Sequence, residues 1–341
     1  MPVPAAVPEP RRAATLADVA GLAGVTVGTA SKALNGRGSL RPETRQRVLE
    51  AAERLGFSPN PLAQGLLAGR SWTVGLITTD SIGRFSIPVL LGAEDALGPE
   101  QMSVLLCDSR GDAIREAHYL RTLMARRIDG IIVTGRRTDP RPPLPGAPNV
   151  PTVYALGPSS DPADMSVVPD EYGGARLAVR HLLESGRRRI AHVTGPAHHA
   201  AAAMRAKGAI AELGEARELA TGRVHYGEWT EAWGRRAAAI VLRIEPEVDG
   251  FFCGNDQIAR GVADALRESG VQVPRQVAIV GYDNWEVIAE ACRPPLTTVD
   301  LDLVEIGRAA ALRLLDAIAG NRAAGTQTVP ARLVVRESSL G

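Results

Sequence analysis

The sequence predicts an all-α N-terminal head of three helices plus a hinge helix, followed by an α/β body of two lobes, each built on a doubly wound parallel sheet. Three observations carry this expectation. Residues 15–56 hold three short amphipathic patterns separated by Gly and Pro signals. From residue 73 onward, apolar runs alternate with amphipathic stretches, the pattern of parallel strands covered by helices on both faces. The length, 341 residues, exceeds one ordinary domain and allows two or three folding units.

Composition narrows the class. With 45% hydrophobic and 23% charged residues and a net charge of +1, the chain reads as a soluble globular protein. Residues 1–13, rich in Pro and Ala, are expected to form a flexible tail and lack the apolar run of a signal peptide. No window is long and apolar enough for a membrane span, so no membrane partner and a cytoplasmic location are expected. Cys107, Cys253 and Cys292 are too scattered for a disulfide framework or a zinc site and are read as inert core thiols. Residues 1–72 carry nine Lys and Arg against five Asp and Glu, whereas the remainder carries 30 against 33. This basic head is a weak pointer to a polyanionic partner. The chain has two lysines among 37 arginines, and one of them, Lys32, lies in the head.

In the head, TLADVAGLAG places Leu16, Val19, Ala20 and Ala23 on one helix face, and Gly24 ends it. Thr26 is a good N-cap for a second helix whose buried stripe is Ala30, Ala33 and Leu34. A third helix starts at Arg41-Pro42-Glu43 and runs to Gly56, with Val48, Leu49, Ala52 and Leu55 expected to face the first two. The second helix then presents Val27, Gly28, Thr29, Ser31 and Lys32 outward. A helix packed by so narrow a stripe can enter the major groove of DNA: Lys32 suits guanine O6 or N7, Val27 a thymine methyl, and the hydroxyls phosphate oxygens. An ordinary three-helix cap with a solvated face fits the periodicity equally well. SPNPLAQGLLAGRSW, residues 58–72, holds a helix too short to be stable alone, so it should fold only against a partner.

The body alternates TVGLITTD, a helix over 87–97, SVLLCD, a helix over 113–126, DGIIVTG, TVYAL, a helix over 173–185, RIAHVTG, a helix over 200–213, a strand near 222–226, a helix over 231–243, DGFFCGND, a helix over 257–269, and VAIVGYD. So many strand and helix pairs fit two doubly wound lobes better than one sheet.

With both halves in view, the chain resembles the LacI/GalR (lactose-repressor) family of bacterial transcriptional regulators. TLADVAGLAGVTVGTASKALNG is similar to that family's helix-turn-helix, PNPLAQGLLAGRS to its hinge helix, and residues 73–341 to its two-lobed, periplasmic-binding-protein-like core. RRIDGIIV, HVTGP, GNDQIARGVADAL, VAIVGYDN and PPLTTVDLD agree at their own places. The resemblance implies a DNA-binding domain over 14–60, a hinge helix and linker over 61–72, and an effector-binding and dimerisation core over 73–341. Within that core the N-lobe is expected at about 73–187 and 301–327, and the C-lobe at about 188–300 and 328–341. It further implies a homodimer, with a tetramer possible, binding a double-stranded operator. The recognition helices enter two major-groove half-sites, and paired hinge helices wedge a leucine, here Leu66, into the central minor groove, with Asn60 and Ala63 beside it. Val27, Gly28 and Lys32 match base-reading positions, and Thr15, Leu16, Thr26, Thr29, Ser31, Asn35, Ser39 and Thr44 match contacting or supporting ones. The family's usual Val-Ser-Arg is here Ala30-Ser31-Lys32, which replaces a planar fork by a flexible point donor.

In doubly wound lobes small molecules bind beyond the carboxyl ends of the strands, and those ends are polar here: Thr79-Asp80, Asn255-Asp256 and Asp283-Asn284. The family's effector positions match Thr79, Phe85, Arg205, Trp229, Asn255 and Asp283. These groups suit a sugar or sugar derivative. Without the resemblance, Asp283 is equally a helix cap, Asn255 a turn residue and Trp229 core. Gly173, Leu301 and Leu303 stand where several family members place a polar or aromatic contact, so a roomier or more apolar pocket is expected. His198-His199 reads as a loop lining the cleft rather than a metal site.

The expected function is a ligand-responsive transcriptional regulator, a repressor whose effector is either an inducer or a corepressor, with no cofactor and no metal. A solute-binding protein of a transport or sensing system would share the core but have no use for residues 15–68. An enzyme is disfavoured: there is no GxGxxG after a strand, no Walker loop and no GxSxG elbow.

Overall fold

A computed structural model describes residues 14–35, 38–58, 70–146, 150–214 and 219–340. The chain divides into two units, residues 1–71 and 72–341.

In the first unit, α1 (Leu16–Ala23), α2 (Val27–Leu34) and α3 (Pro42–Leu55) close around Val19, Ala20, Ala23, Ala30, Ala33, Val48, Ala51 and Ala52. So small a core works because alanine faces let short helices approach closely, and the ends are then fixed by caps. Thr15 and Asp18 form a reciprocal capping box on α1, with Thr15 N donating to Asp18 Oδ2 at 2.8 Å and Asp18 N to Thr15 Oγ1 at 3.3 Å. Thr26 caps α2 by accepting from Thr29 N at 3.2 Å. The inner face of α3 differs from the expected one: Ala51 is buried with Val48 and Ala52, whereas Leu49 and Leu55 are 44% and 37% exposed. Position 49 lies one residue, about 100°, off the Val48–Ala51–Ala52 stripe, and Leu55 ends the helix just before Gly56.

The second unit carries two six-stranded sheets. The first runs β2 (Ser103–Asp108), β1 (Thr73–Thr78), β3 (Gly130–Val133), β4 (Thr152–Ala155), β5 (Met165–Pro169) and β11 (Gly325–Val329), all parallel. The second runs β7 (His225–Tyr226), β6 (Ile190–Thr194), β8 (Gly250–Cys253), β9 (Ala278–Tyr282), β10 (Thr297–Asp300) and β12 (Arg332–Val334), parallel except for the β12 edge. Central strands such as β3, β6 and β8 are buried along their whole length, as parallel strands covered on both faces must be.

On the first sheet, α4 (Ser86–Leu97) and α11 (Leu303–Ile318) cover one face with Val89, Ala93, Ala310 and Leu314, while α5 (Ala113–Ala125) covers the other with Leu120 and Leu123. On the second, α6 (Glu171–Glu184) and α7 (Ala200–Leu213) lie on one face, and α8 (Glu231–Ile244) and α9 (Asp256–Glu268) on the other. A single turn, α10 (Glu286–Ala289), follows β9.

The chain passes between the lobes three times: after Pro169, after Asp300 and after Val329. The first crossing differs from the boundary expected near residue 187. Ala175, Ala178, Val179 and Leu182 of α6 pack on Ile190, Phe252, Ala278 and Val280, so α6 belongs to the second lobe. The strand expected over 222–226 is the two-residue β7, shortened because pairing is limited to Val193 and Thr194 of β6. Among the described residues no helix is long and apolar enough to cross a membrane. Cys253 and Cys292 are buried and Cys107 is half-buried.

α4 and α11 touch backbone to backbone through glycine. A Cβ on Gly307 would stand 2.0 Å from the carbonyl oxygen of Val89. Gly307→Ala must therefore push the pair apart, and we expect a loss of about 1 to 3 kcal/mol, seen by calorimetry as a melting temperature several degrees lower. An unchanged melting temperature would contradict this packing.

Candidate functional site

A cleft of about 350 Å³ opens between the carboxyl ends of the two sheets, lined from both lobes. Five of the six effector candidates line it: Phe85, Arg205, Trp229, Asn255 and Asp283. Thr79 does not, and lines a neighbouring cavity of the first lobe.

Arg205, on α7, is 4% exposed. Its Nε and Nη2 donate to the two oxygens of Glu171 at 2.7 and 3.0 Å, and its Nη1 donates to the Gly254 carbonyl. Its guanidinium carbon lies 3.8 Å from the centre of the Tyr282 ring, a cation–π stack. Burial opposes the Arg205 charge, but Glu171 and then Asp283 outweigh it, so its pKa stands above its ordinary value. The expected free fork is thus largely engaged within the lobe: Arg205 organises the cleft floor as well as facing it.

Asp283 follows β9 with φ 93, and Asn284 with φ 47, two consecutive non-glycine residues in the left-handed region. Such strain persists only where neighbours hold it, and it gathers at functional sites. Here Asp283 N donates to Val299 O at 2.8 Å, and Arg336 Nη2 to Asn284 Oδ1 at 3.0 Å. The Asp283 carboxylate is held between two arginines. Arg84 Nη2, from the first lobe, donates to Oδ2 at 2.5 Å. Arg205 Nη2 lies 3.2 Å from Oδ1 as an ion pair without hydrogen-bond geometry, leaving Oδ1 without a hydrogen-bond partner among the described residues. Asp283 does not cap α10, whose N-terminus has no side-chain cap.

Arg84, like Glu171, is a cleft residue that sequence reasoning missed. Its Nη1 also reaches Gln257 Oε1 at 3.2 Å, and its guanidinium stacks 4.4 Å from the Trp285 ring, so one first-lobe side chain is tied to three second-lobe groups. One further tie crosses the cleft: Asp139 Oδ1 accepts from Ala200 N at the start of α7 at 2.7 Å. Arg137 Nη1 stands 3.3 Å from His199 Nε2, the ring nitrogen that carries the proton when Nδ1 accepts, so the two are in contact without a hydrogen bond. His199 in turn accepts from Trp229 Nε1 at 2.8 Å, which fixes the indole edge. Burial lowers the His199 pKa, leaving a neutral ring suited to that acceptor role. The indole face lies against Gly195 of HVTGP, where a Cβ would stand 2.1 Å from Trp229.

Asn255 caps α9, its Oδ1 accepting from Ile258 N at 2.8 Å, so its amide nitrogen is the group left for a ligand. Asp80 is occupied structurally, accepting from Phe85 N at 2.7 Å and Ser86 N at 3.0 Å. Leu301 lines the cleft. Leu303 instead packs among the hydrophobic cores, and Gly173 N donates to Asp170 Oδ1 at 2.7 Å.

In the head, Thr26, Val27, Gly28, Lys32, Asn35 and Ser39 are exposed, and Thr15, Leu16, Thr29, Ser31 and Thr44 are half-buried. Asn60, Ala63 and Leu66, with the hinge helix, lie outside the described residues.

The comparisons with known proteins cover both units. The model of bacterial regulatory proteins, lacI family, matches residues 15–60, and that of a periplasmic binding protein-like domain matches residues 179–339. The chain is 34% identical to the HTH-type transcriptional regulator CelR of Thermobifida fusca over 97% of its own length and 99% of that protein. A solved transcriptional regulator CelR–cellobiose complex aligns at 32% identity with a TM-score of 0.68, covering 96% of this chain and all of that one, 100%. The Lac repressor dimer bound to operator and the anti-inducer ONPF aligns at 27% identity with a TM-score of 0.78, covering 97% and 100%.

Beneath the cleft, Asp256 accepts from Trp285 N at 2.7 Å and from the Thr298 hydroxyl at 2.6 Å. Burial and then the Asp283 charge raise its pKa from 3.8 to about 7. A raised carboxyl pKa means that the folded state holds the proton more tightly than the unfolded one. The associated stability is full below about pH 4 and is lost as pH rises through about 7. Thermal melts of the wild type should therefore fall between pH 5 and pH 8 relative to Asp256→Asn by on the order of 2 kcal/mol. Parallel pH profiles for the two proteins would refute this.

Proposed function

The chain belongs to the lacI family of bacterial regulatory proteins, and from that premise we propose that it is an operator-binding transcriptional repressor controlled by a sugar or sugar derivative in the interlobe cleft. The observation that carries the reading is the pairing of an exposed, capped α2 in one unit with a two-lobed cleft lined by charged and aromatic side chains in the other. It works in the cytoplasm as a homodimer on a palindromic operator, and the boundaries at 14–60, 61–72 and 73–341 are its DNA-binding, hinge and effector-binding parts.

On α2, Val27 is 49% exposed and Lys32 follows five residues later on the exposed surface. A Cβ at Gly28 would meet nothing nearer than 4.0 Å, so the head's own packing does not require glycine there. Its absence of a side chain suits close approach of the helix to a groove wall. Thr26, Thr29, Ser31, Asn35, Ser39, Thr44, Thr15 and Leu16 support or contact the phosphate backbone, and Leu66, flanked by Asn60 and Ala63, wedges the central step. In the core, Ile87 and Leu91 of α4, one turn apart and 41% and 51% exposed, offer an apolar stripe for the second protomer.

In the cleft, Asp283 and Asn255 meet hydroxyls, Trp229 and Phe85 take apolar sugar faces, and Arg205 holds Asp283 in place. A ligand that favours one lobe arrangement shifts operator affinity by its difference in affinity for the two arrangements.

Fluorescence anisotropy with palindromic DNA carrying a central CG step tests the reading. The wild type should bind with steep salt dependence. Lys32→Ala should weaken the palindrome by about 1 to 3 kcal/mol and leave random DNA little changed. An equal loss on both would show that Lys32 meets only phosphate, and no binding at low salt would refute the regulator.

A further inference from the structure

The first lobe carries a second cavity, of about 430 Å³, beyond the carboxyl ends of β1, β2, β3 and β4. It shares Arg136, Arg137 and Asp139 with the interlobe cleft, so the two are neighbouring compartments of one site. Four guanidiniums, from Arg110, Arg136, Arg137 and Arg141, face it together with the single carboxylate of Asp139.

Most of these groups have partners, and the remainder define what is missing. Arg141 is held by Glu116 in a two-pronged pair at 2.9 and 2.8 Å. Asp139 is engaged by the Ala200 N–H. Arg137 faces the imidazole of His199, not a carboxylate. Arg136 has neither a hydrogen bond nor an ion pair among the described residues, and the carboxylate nearest Arg110, that of Asp108, is 3.9 Å away. Arg110 itself has φ 53, a left-handed conformation rare for a side-chain-bearing residue.

A second observation is independent of charge. Thr134, immediately after β3, is 5% exposed, and its hydroxyl has no hydrogen-bond partner among the described residues. A buried hydroxyl left unsatisfied is destabilising, whereas the same hydroxyl donating to a ligand oxygen is not. One unpaired guanidinium, a second held only by a 3.9 Å ion pair, and an orphan hydroxyl around one cavity suit a tetrahedral or planar oxyanion.

We propose that this cavity is an anion subsite, so that the effector carries a phosphate or carboxylate bound by Arg110, Arg136 and Thr134 while its neutral part occupies the interlobe cleft. The inference rests on the effector-cleft reading above and narrows its ligand class to acidic or phosphorylated compounds.

The test is calorimetric titration and thermal melting of the full chain with inorganic phosphate and, separately, malonate, each against chloride of matched ionic strength. At least one anion should bind and raise the melting temperature. Binding should weaken by about tenfold or more in Thr134→Val and in the Arg110→Ser/Arg136→Ser double variant, whose arginines are exposed and outside the core. A response to phosphate alone assigns a phosphorylated effector, and one to malonate alone a carboxylated one. No response beyond chloride, or an equal response in the variants, overturns the proposal. Operator anisotropy on the same preparations separates the two readings: a chain that binds operator but no anion refutes only the subsite, and one that binds anion but no operator refutes only the regulator.

Discussion

The site depends on one buried carboxylate shared by two arginines. Asp283, with its side chain 6% exposed, lies between Arg205 of its own lobe and Arg84 of the other. A charge so buried is tolerable only when paired, and breaking such a pair costs about 3 to 5 kcal/mol. Arg205 is in turn fixed by Glu171, so the second lobe presents a braced acceptor and the first lobe supplies the cation that meets it. Arg84 reaches across the cleft to Asp283 and ties the two lobes. A ligand reaching Asp283 must share it with Arg84 or displace it, and either event alters the tie between the lobes.

The fold makes such a tie consequential. Each lobe is a closed packing unit with its own sheet and its own covering helices, and only three chain crossings join them. Within a lobe, contacts such as that of Gly307 with Val89 leave no slack. Between the lobes, the cleft side chains carry polar bonds: Arg84 to Asp283 and Gln257, and Asp139 to the start of α7. Rigid bodies joined by few strands and a handful of polar bonds rotate as units. Small changes at Asp283 can therefore become movements of a whole lobe.

Much of this was legible in the sequence, for identifiable reasons. Thr26 was legible as the cap of the second helix and caps it here, whereas the capping box of Thr15 with Asp18 was found only in the structure. Asn255 and Asp283 were legible because strand ends in doubly wound sheets face the cleft. Arg84 and Glu171 were not, because each acts through a partner distant in the chain, Asp283 for Arg84 and Arg205 for Glu171, which periodicity cannot register. The same limit moved the first crossing: α6 continues directly from a first-lobe strand, and only its packing on Phe252 and Val280 assigns it to the second lobe. Leu49 illustrates a local limit, since an apolar residue one step off a stripe of alanines reads as core yet is exposed. Thr79 was drawn to the cleft by the strand-end rule and in fact lines the adjoining cavity.

The central claim is that the Arg84–Asp283 tie is coupled to DNA recognition. Operator affinity of the wild type, Arg84→Met, Asp283→Asn and the double variant, measured by anisotropy under one salt condition, tests it most directly. The account predicts that each single substitution shifts affinity in the same direction by about fivefold or more, and that the double variant shifts it no further than the larger single one. Four indistinguishable affinities would contradict it.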